Sequence, residues 1–328
     1  MMKKSVRKTG PAPVTVARLQ KIASRLPPKT VVIAGGDRKE DLSVFTLLQA
    51  LPFVKRCLLV GDGKAIRAAA RGLNLSVPKA DIVATDSPEE TALRTVELVE
   101  QGVAEIILKG NISTPILNRA MMKIRARETI SLVTMFQSRY LGGNRPLLLT
   151  DAGVTTVCNF NRMTGMIQNA AEVAQRVLGL PRPRIALLSA NEKVIKSLPS
   201  TSLAVELSQA PWEDMVVCGP LSLDLAIDPE SVRIKGLAKS KDPAMREVAG
   251  QADALVCPGL DAANILYKAI MSLTLCGKAS MAGITVGLQV PYIILSRADN
   301  EATKRDSVAL CCIYAEQDKP DSDTPSSS

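Results

Sequence analysis

A serine and an arginine, Ser296-Arg297, stand where the apolar run Tyr292 to Leu295 gives way to the acidic residues Asp299 and Glu301. A guanidinium at the mouth of a sheet offers a planar set of donors to a phosphate or a polarised carbonyl. The same residues also fit a solvated arginine beside a helix capped by Asp299, and the segment alone leaves both readings open. Four further apolar runs end on small or hydrogen-bonding residues: GGD at 35–37, KGNIST at 109–114, TDAG at 150–153 and LSANE at 188–192. Open parallel sheets bind ligands beyond the carboxyl ends of their strands, so these repeated polar ends predict a shared cleft.

Within KGNIST, Lys109-Gly110-Asn111 closes an apolar run and Ser113-Thr114-Pro115 opens a helical pattern. Ser113 or Thr114 is placed to cap, and Pro115 suits a first turn. Capping explains the hydroxyls and the proline but not a lysine at the end of an apolar strand. Free amides, two hydroxyls and Lys109 together read as an anion site. GGDRKED at 35–41 and GDGKA at 61–65 complete neither nucleotide-binding fingerprint, and their glycines read as tight turns. Cys218, approached by apolar residues and lacking any histidine partner, reads as an inert thiol.

Composition narrows the chemistry. The 328 residues include no histidine, which removes an imidazole base, a His-containing triad and a His-ligated metal. Aromatic residues make up 3% of the chain, too few for stacking platforms along a single-stranded nucleic acid. The net charge of +9 is concentrated at the start: Lys3, Lys4, Arg7, Lys8, Arg18, Lys21, Arg25 and Lys29 all precede the first acidic residue, Asp37. The remainder is nearly neutral, so a nucleic-acid partner is disfavoured. Seven cysteines without CxxC spacing read as reduced thiols of a cytoplasmic protein. No apolar run long enough to cross a membrane, and no signal-peptide core, is found.

These residues need elements to position them. Val16, Leu19, Ile22, Ala23 and Leu26 mark one face of a packing helix over 14–26, stopped by Pro27-Pro28. Short branched runs then alternate with helical patterns, which implies an α/β chain with mainly parallel sheets. Ten or more such runs favour two α/β/α units over one sheet. The expected division is a basic arm and packing helix at 1–29, a first unit at 30–145 joined by 295–316, a second at 146–294, and a disordered tail at 317–328.

The segments LLVGDGKAI, ILKGNIST, LLLTDAG, ALLSANEK, GPLSLDLAI, NILYKAI, AGITVG and PYIILSRADNEATKRDSVAL occur in the order seen in phosphate acyltransferases. From about residue 30 to 315 the chain resembles the phosphate acetyl/butyryltransferase family, and most of all its phosphate butyryltransferase branch. The resemblance implies two α/β/α domains flanking a cleft, an architecture related to isocitrate/isopropylmalate dehydrogenases, and a homodimer. It implies the reaction acyl-CoA plus phosphate giving acyl phosphate plus CoA, with CoA as a substrate and no cofactor or metal. By the same resemblance Arg297 holds phosphate or the developing oxyanion, and Ser296 bonds the reacting oxygen or the CoA sulfur. Lys109, Gly110, Asn111, Ser113 and Thr114 line the cleft, and Arg125 and Ser131 match further binding positions.

Several family positions differ. Leu132 replaces a histidine, Cys218 and Gly259 replace aspartates, Leu225 an asparagine and Ala263 a glycine, while Thr303 stands where acetyltransferases carry a proposed base. Asp299 is the nearest carboxylate able to substitute, as base or as helix cap. These differences keep open a non-catalytic relative that binds CoA or acyl phosphate. A metal-dependent dehydrogenase is disfavoured by the lack of a dinucleotide loop and of clustered acidic ligands.

Overall fold

The computed structural model describes residues 13–294 and 299–316. Its strands are β1 (Lys29–Ala34), β2 (Val54–Gly61), β3 (Ile82–Ala84), β4 (Ile106–Lys109), β5 (Ser131–Ser138), β6 (Leu141–Thr150), β7 (Arg184–Leu188), β8 (Val216–Leu221), β9 (Ala254–Val256), β10 (Ser280–Val286) and β11 (Tyr292–Ile293). They join in one sheet ordered β3-β2-β1-β4-β11-β10-β5-β6-β9-β7-β8. The sequence favours a sheet in each of two units; here a central antiparallel stretch splices two parallel blocks. β11, β10, β5 and β6 pair antiparallel in turn, whereas β1 to β4 pair parallel on one side and β6 to β9 on the other. β11 returns beside β4, so the late part of the chain completes the early block.

Local chemistry explains the elements. β1 is buried along its whole length, as expected of a strand covered on both faces. Ser87 accepts from the Glu90 N–H ahead of Pro88, starting the Pro88–Glu100 helix. The expected helix over 14–26 is shorter, a 3-10 turn at Val16–Arg18 running into an α-helix at Leu19–Ala23. Val16, Leu19 and Ala23 still supply its buried face.

Burial separates the two faces of the sheet. One face carries a continuous apolar cluster from Val31 and Ile33 of β1, through Val133 of β5, to Ile185 and Leu187 of β7, covered by the Phe160–Arg176 and Glu301–Glu316 helices. The opposite face splits. Val32, Ala34, Val60 and Ile107 form one cluster, and Leu147, Leu149, Ala186 and Leu255 form another. Between them the register runs Ile107, Tyr292, Thr285, Leu132 across four adjacent strands. The seam therefore follows the antiparallel splice.

Candidate active site

A cavity of about 290 Å³ opens at this seam. Tyr292 and Thr285 line it from the sheet, Met121 and Met122 from the end of the Thr114–Met121 helix, and Val154 to Val157 from the loop after β6. Arg125 and Arg162 also line it. Arg125 is exposed, and its guanidinium makes no hydrogen bond or ion pair with any described residue. The Arg125 main chain is held by a bridge to Leu288, so this cation is carried on a fixed backbone. Arg162 donates to the Glu128 carbonyl at 2.6 Å. Two cations beside an apolar wall suit a ligand with an anionic end and an apolar end.

Asp151 shapes the loop. Its buried carboxylate accepts from the N–H groups of Leu132 (3.2 Å), Gly153 (2.9 Å), Val154 (3.0 Å) and Thr155 (2.8 Å). Burial pushes this carboxyl up, and the backbone donors oppose that push. Asn264 adds a tie from the Leu260–Leu275 helix to the Ala152 carbonyl at 2.9 Å. Both residues fall in segments that the sequence marks, TDAG and NILYKAI, but their anchoring role needs the fold to be seen.

The KGNIST segment occupies the end of β4 against β1. Lys109 is half-buried, and its Nζ donates to the Gly110 carbonyl at 3.3 Å. The two strand ends approach so closely that a Cβ on Gly110 would stand 2.5 Å from the Gly35 carbonyl oxygen, and Gly35 itself has a φ of +81°. Asn111 Nδ2 donates to Asp37 at 2.8 Å. Asn111 and Asp37 line a second cavity of about 110 Å³ together with Asp62 and Asp86, and three carboxylates there oppose an anion. Ser113 takes the N-cap position of the Thr114–Met121 helix without making the side-chain cap bond. Its exposed hydroxyl is left for solvent or ligand.

Residues 83–312 match the family model described as phosphate acetyl/butaryl transferase. The chain belongs to this family. It is 34% identical over 274 residues to a phosphate butyryltransferase of Clostridium beijerinckii, covering 81% of this chain and 86% of that one. A crystal structure of a branched-chain phosphotransacylase from Enterococcus faecalis superposes with a TM-score of 0.72 at 31% identity, over 88% of this chain and 99% of that one. A 4-hydroxythreonine-4-phosphate dehydrogenase from Klebsiella pneumoniae, at 14% identity, shares the fold with a TM-score of 0.52, over 88% of this chain and 99% of that one.

Ser296 and Arg297, central to the sequence reading of this acyltransferase family member, lie outside the described residues. Asp299 is buried, and the Tyr267 hydroxyl donates to its Oδ1 at 3.4 Å. Burial and then the Asp299 charge push the Tyr267 phenol up, so it stays a neutral donor. The cap of the Glu301–Glu316 helix is Asn300, whose Oδ1 accepts from the Thr303 N–H at 2.8 Å. Ser131 is buried on the continuous-cluster face, in register with Val286, and its Oγ accepts from Asn169 at 2.8 Å. That face is opposite to the one carrying Thr285, which lines the cavity.

Four of the six departures from the family pattern, Leu132, Cys218, Leu225 and Ala263, are buried members of one apolar cluster. Gly259 is the N-cap residue of the Leu260–Leu275 helix. Apolar packing thus accounts for those four without reference to catalysis. Burial pushes the Cys218 thiol up to about 12, in keeping with an inert side chain.

Sequence reasoning passed over Asp41, Arg162, Thr285 and Tyr292. Asp41 sits 3.0 Å from the position of a Cβ on Gly110, and burial raises its carboxyl to about 6. Its signal was the GGDRKED turn. Tyr292 was hidden inside an apolar run, and the strand it belongs to is only two residues long.

Proposed function

We propose that this chain transfers a short acyl group between coenzyme A and inorganic phosphate at the seam cavity, acyl-CoA plus phosphate giving acyl phosphate plus CoA. The observation that carries this reading is the Arg125 guanidinium, without a partner among the described residues, beside an apolar cavity, in a chain that belongs to the phosphate acetyl/butaryl transferase family. Phosphate attack on the thioester carbonyl, or thiolate attack on the acyl phosphate, changes no oxidation state. The reaction balances without a redox cofactor or a metal, and CoA enters as substrate. What the protein must supply is orientation, anion binding and stabilisation of the oxyanion.

By resemblance Arg297 and Ser296 serve the phosphate and the reacting oxygen, with Arg125 as a further anion contact. The two parallel blocks form the walls of the cleft, a division near residue 145. Homodimerisation is supported by the Leu260–Leu275 helix, which exposes Ile265 at 71% and Leu275 at 60%. An apolar helix face of this kind favours burial against a second copy. A cytoplasmic setting is supported by seven cysteines joined by no disulfide.

Phosphorus NMR of the purified chain with butyryl-CoA and inorganic phosphate tests the reaction. Growth of an acyl phosphate signal matched by free thiol is the expected result. Thiol release without acyl phosphate would assign the chain to hydrolysis instead.

A further inference from the structure

The seam row contains two buried hydroxyls without a hydrogen-bond partner among the described residues. Tyr292 is 1% exposed and Thr285 0%, and neither side-chain oxygen has a hydrogen-bond partner among the described residues. The two residues are directly opposed in the β10–β11 register, so their side chains lie on the same face of the sheet, and both line the 290 Å³ cavity. Burying a hydroxyl without a partner costs stability, and two in register beside one cavity mark a place where a ligand completes the bonding. Burial raises the Tyr292 phenol, which therefore remains protonated and able to donate. The neighbouring wall is apolar: Met121, Met122, Ile130 and Val157 all line the cavity, and the flexible thioethers accommodate different alkyl shapes.

We propose that Tyr292 and Thr285 bind the carbonyl oxygen of the acyl group, and that the Met121, Met122, Ile130 and Val157 wall receives its alkyl chain. The assignment rests on the acyl-transfer reading above. When CoA attacks acyl phosphate, the thiolate sulfur adds to the carbonyl carbon and the C–O π pair moves onto oxygen. The two hydroxyls donate to that oxyanion. The pair then re-forms the carbonyl as the bond from carbon to the phosphate oxygen breaks, and phosphate leaves with the bonding electrons. Donors placed where charge develops act on the transition state more than on the bound substrate.

Tyr292→Phe and Thr285→Val each remove one hydroxyl and keep the shape of the side chain. Both variants are expected to keep or raise the wild-type Tm, because the deleted hydroxyl has no partner to lose and its burial costs stability. In each, kcat for butyryl phosphate and CoA is expected to fall by about 10²-fold, the loss typical of an oxyanion donor. Wild-type kcat in both would overturn the assignment. Calorimetric titration with butyryl-CoA and with S-butyl-CoA, a thioether lacking the carbonyl, separates carbonyl binding from packing. The variants are expected to weaken butyryl-CoA several-fold and to leave S-butyl-CoA unchanged; equal losses for both, or none, would overturn the assignment. Because titration needs no turnover, the same contrast upholds the carbonyl site even in a chain with no acyltransferase activity, where only the catalytic reading falls. Absence of butyryl-CoA binding to the wild type would remove both. Should Tyr292→Phe lower the Tm by several degrees, Thr285→Val decides.

Discussion

At the scale of single residues, the fate of Asp299 shows what the sequence could and could not settle. Its position before an acidic helix start fits a cap equally well, and Asn300 occupies that role in the fold. A buried carboxylate that accepts a bond from Tyr267 can still take a proton as a base. Asp299→Asn keeps an oxygen for Tyr267, leaves the Asn300 cap untouched, and is predicted to lower kcat by about 10²-fold with little change in Tm. The rate should recover as pH approaches the thiol value of about 8.5, where CoA ionises unaided. A wild-type rate at neutral pH would remove Asp299 from the chemistry. Asp41 gives a second, pH-linked expectation. Its carboxyl is raised to about 6 by burial, so its favourable contribution is complete below the unfolded value of about 3.8 and is lost as pH rises through 6. Asp41→Asn should therefore gain Tm over wild type at pH 7.5 and show a smaller gain at pH 4; parallel Tm curves would contradict this. Neither residue's environment is legible from sequence, because burial arises from contacts that are distant along the chain.

At the scale of elements, the alternation of branched runs with helical patterns made the α/β class readable, and each polar strand end was visible as a break in an apolar run. What the pattern hid was pairing direction. An antiparallel strand buried on both faces reads like a parallel one, so the splice formed by β5, β6, β10 and β11 left no periodic signal. Nor did the sequence show how the last helix is fastened. Lys29, 1% exposed at the start of β1, pairs with Glu316 at 2.6 Å and with Glu105 at 3.3 Å, tying the end of the Glu301–Glu316 helix to the sheet. Burial lowers the Lys29 ammonium, but the bond it donates to Glu316 and the charge of Glu105 outweigh it and the net direction is upward. The clasp therefore contributes fully below the unfolded lysine value of about 10.5 and is lost only as pH rises through the folded one. Lys29→Met is predicted to destabilise the fold by about 3 kcal/mol, since it leaves carboxylates without their buried partner. Urea unfolding at pH 7 measures this, and an unchanged midpoint would show that the clasp carries no net stability.

At the scale of the whole molecule, the seam unites the observations: one face of the sheet is continuous and the other is divided, and the cavity, Arg125 and the unsatisfied hydroxyl pair all lie along the division. The basic balance of the chain says little about this site, because its excess charge precedes Asp37. The exposed Ile265 and Leu275 side chains carry a further expectation. On the homodimer proposed above, the wild type should sediment as a dimer and Ile265→Asp combined with Leu275→Asp as a monomer, whereas a wild-type sedimentation coefficient in the variant would place any self-association elsewhere. The most direct test of the central claim is thiol release from a panel of acyl-CoAs, followed as inorganic phosphate is raised from zero. Release that rises with phosphate and saturates is the predicted result; binding of acyl-CoA with no phosphate-dependent release would contradict it.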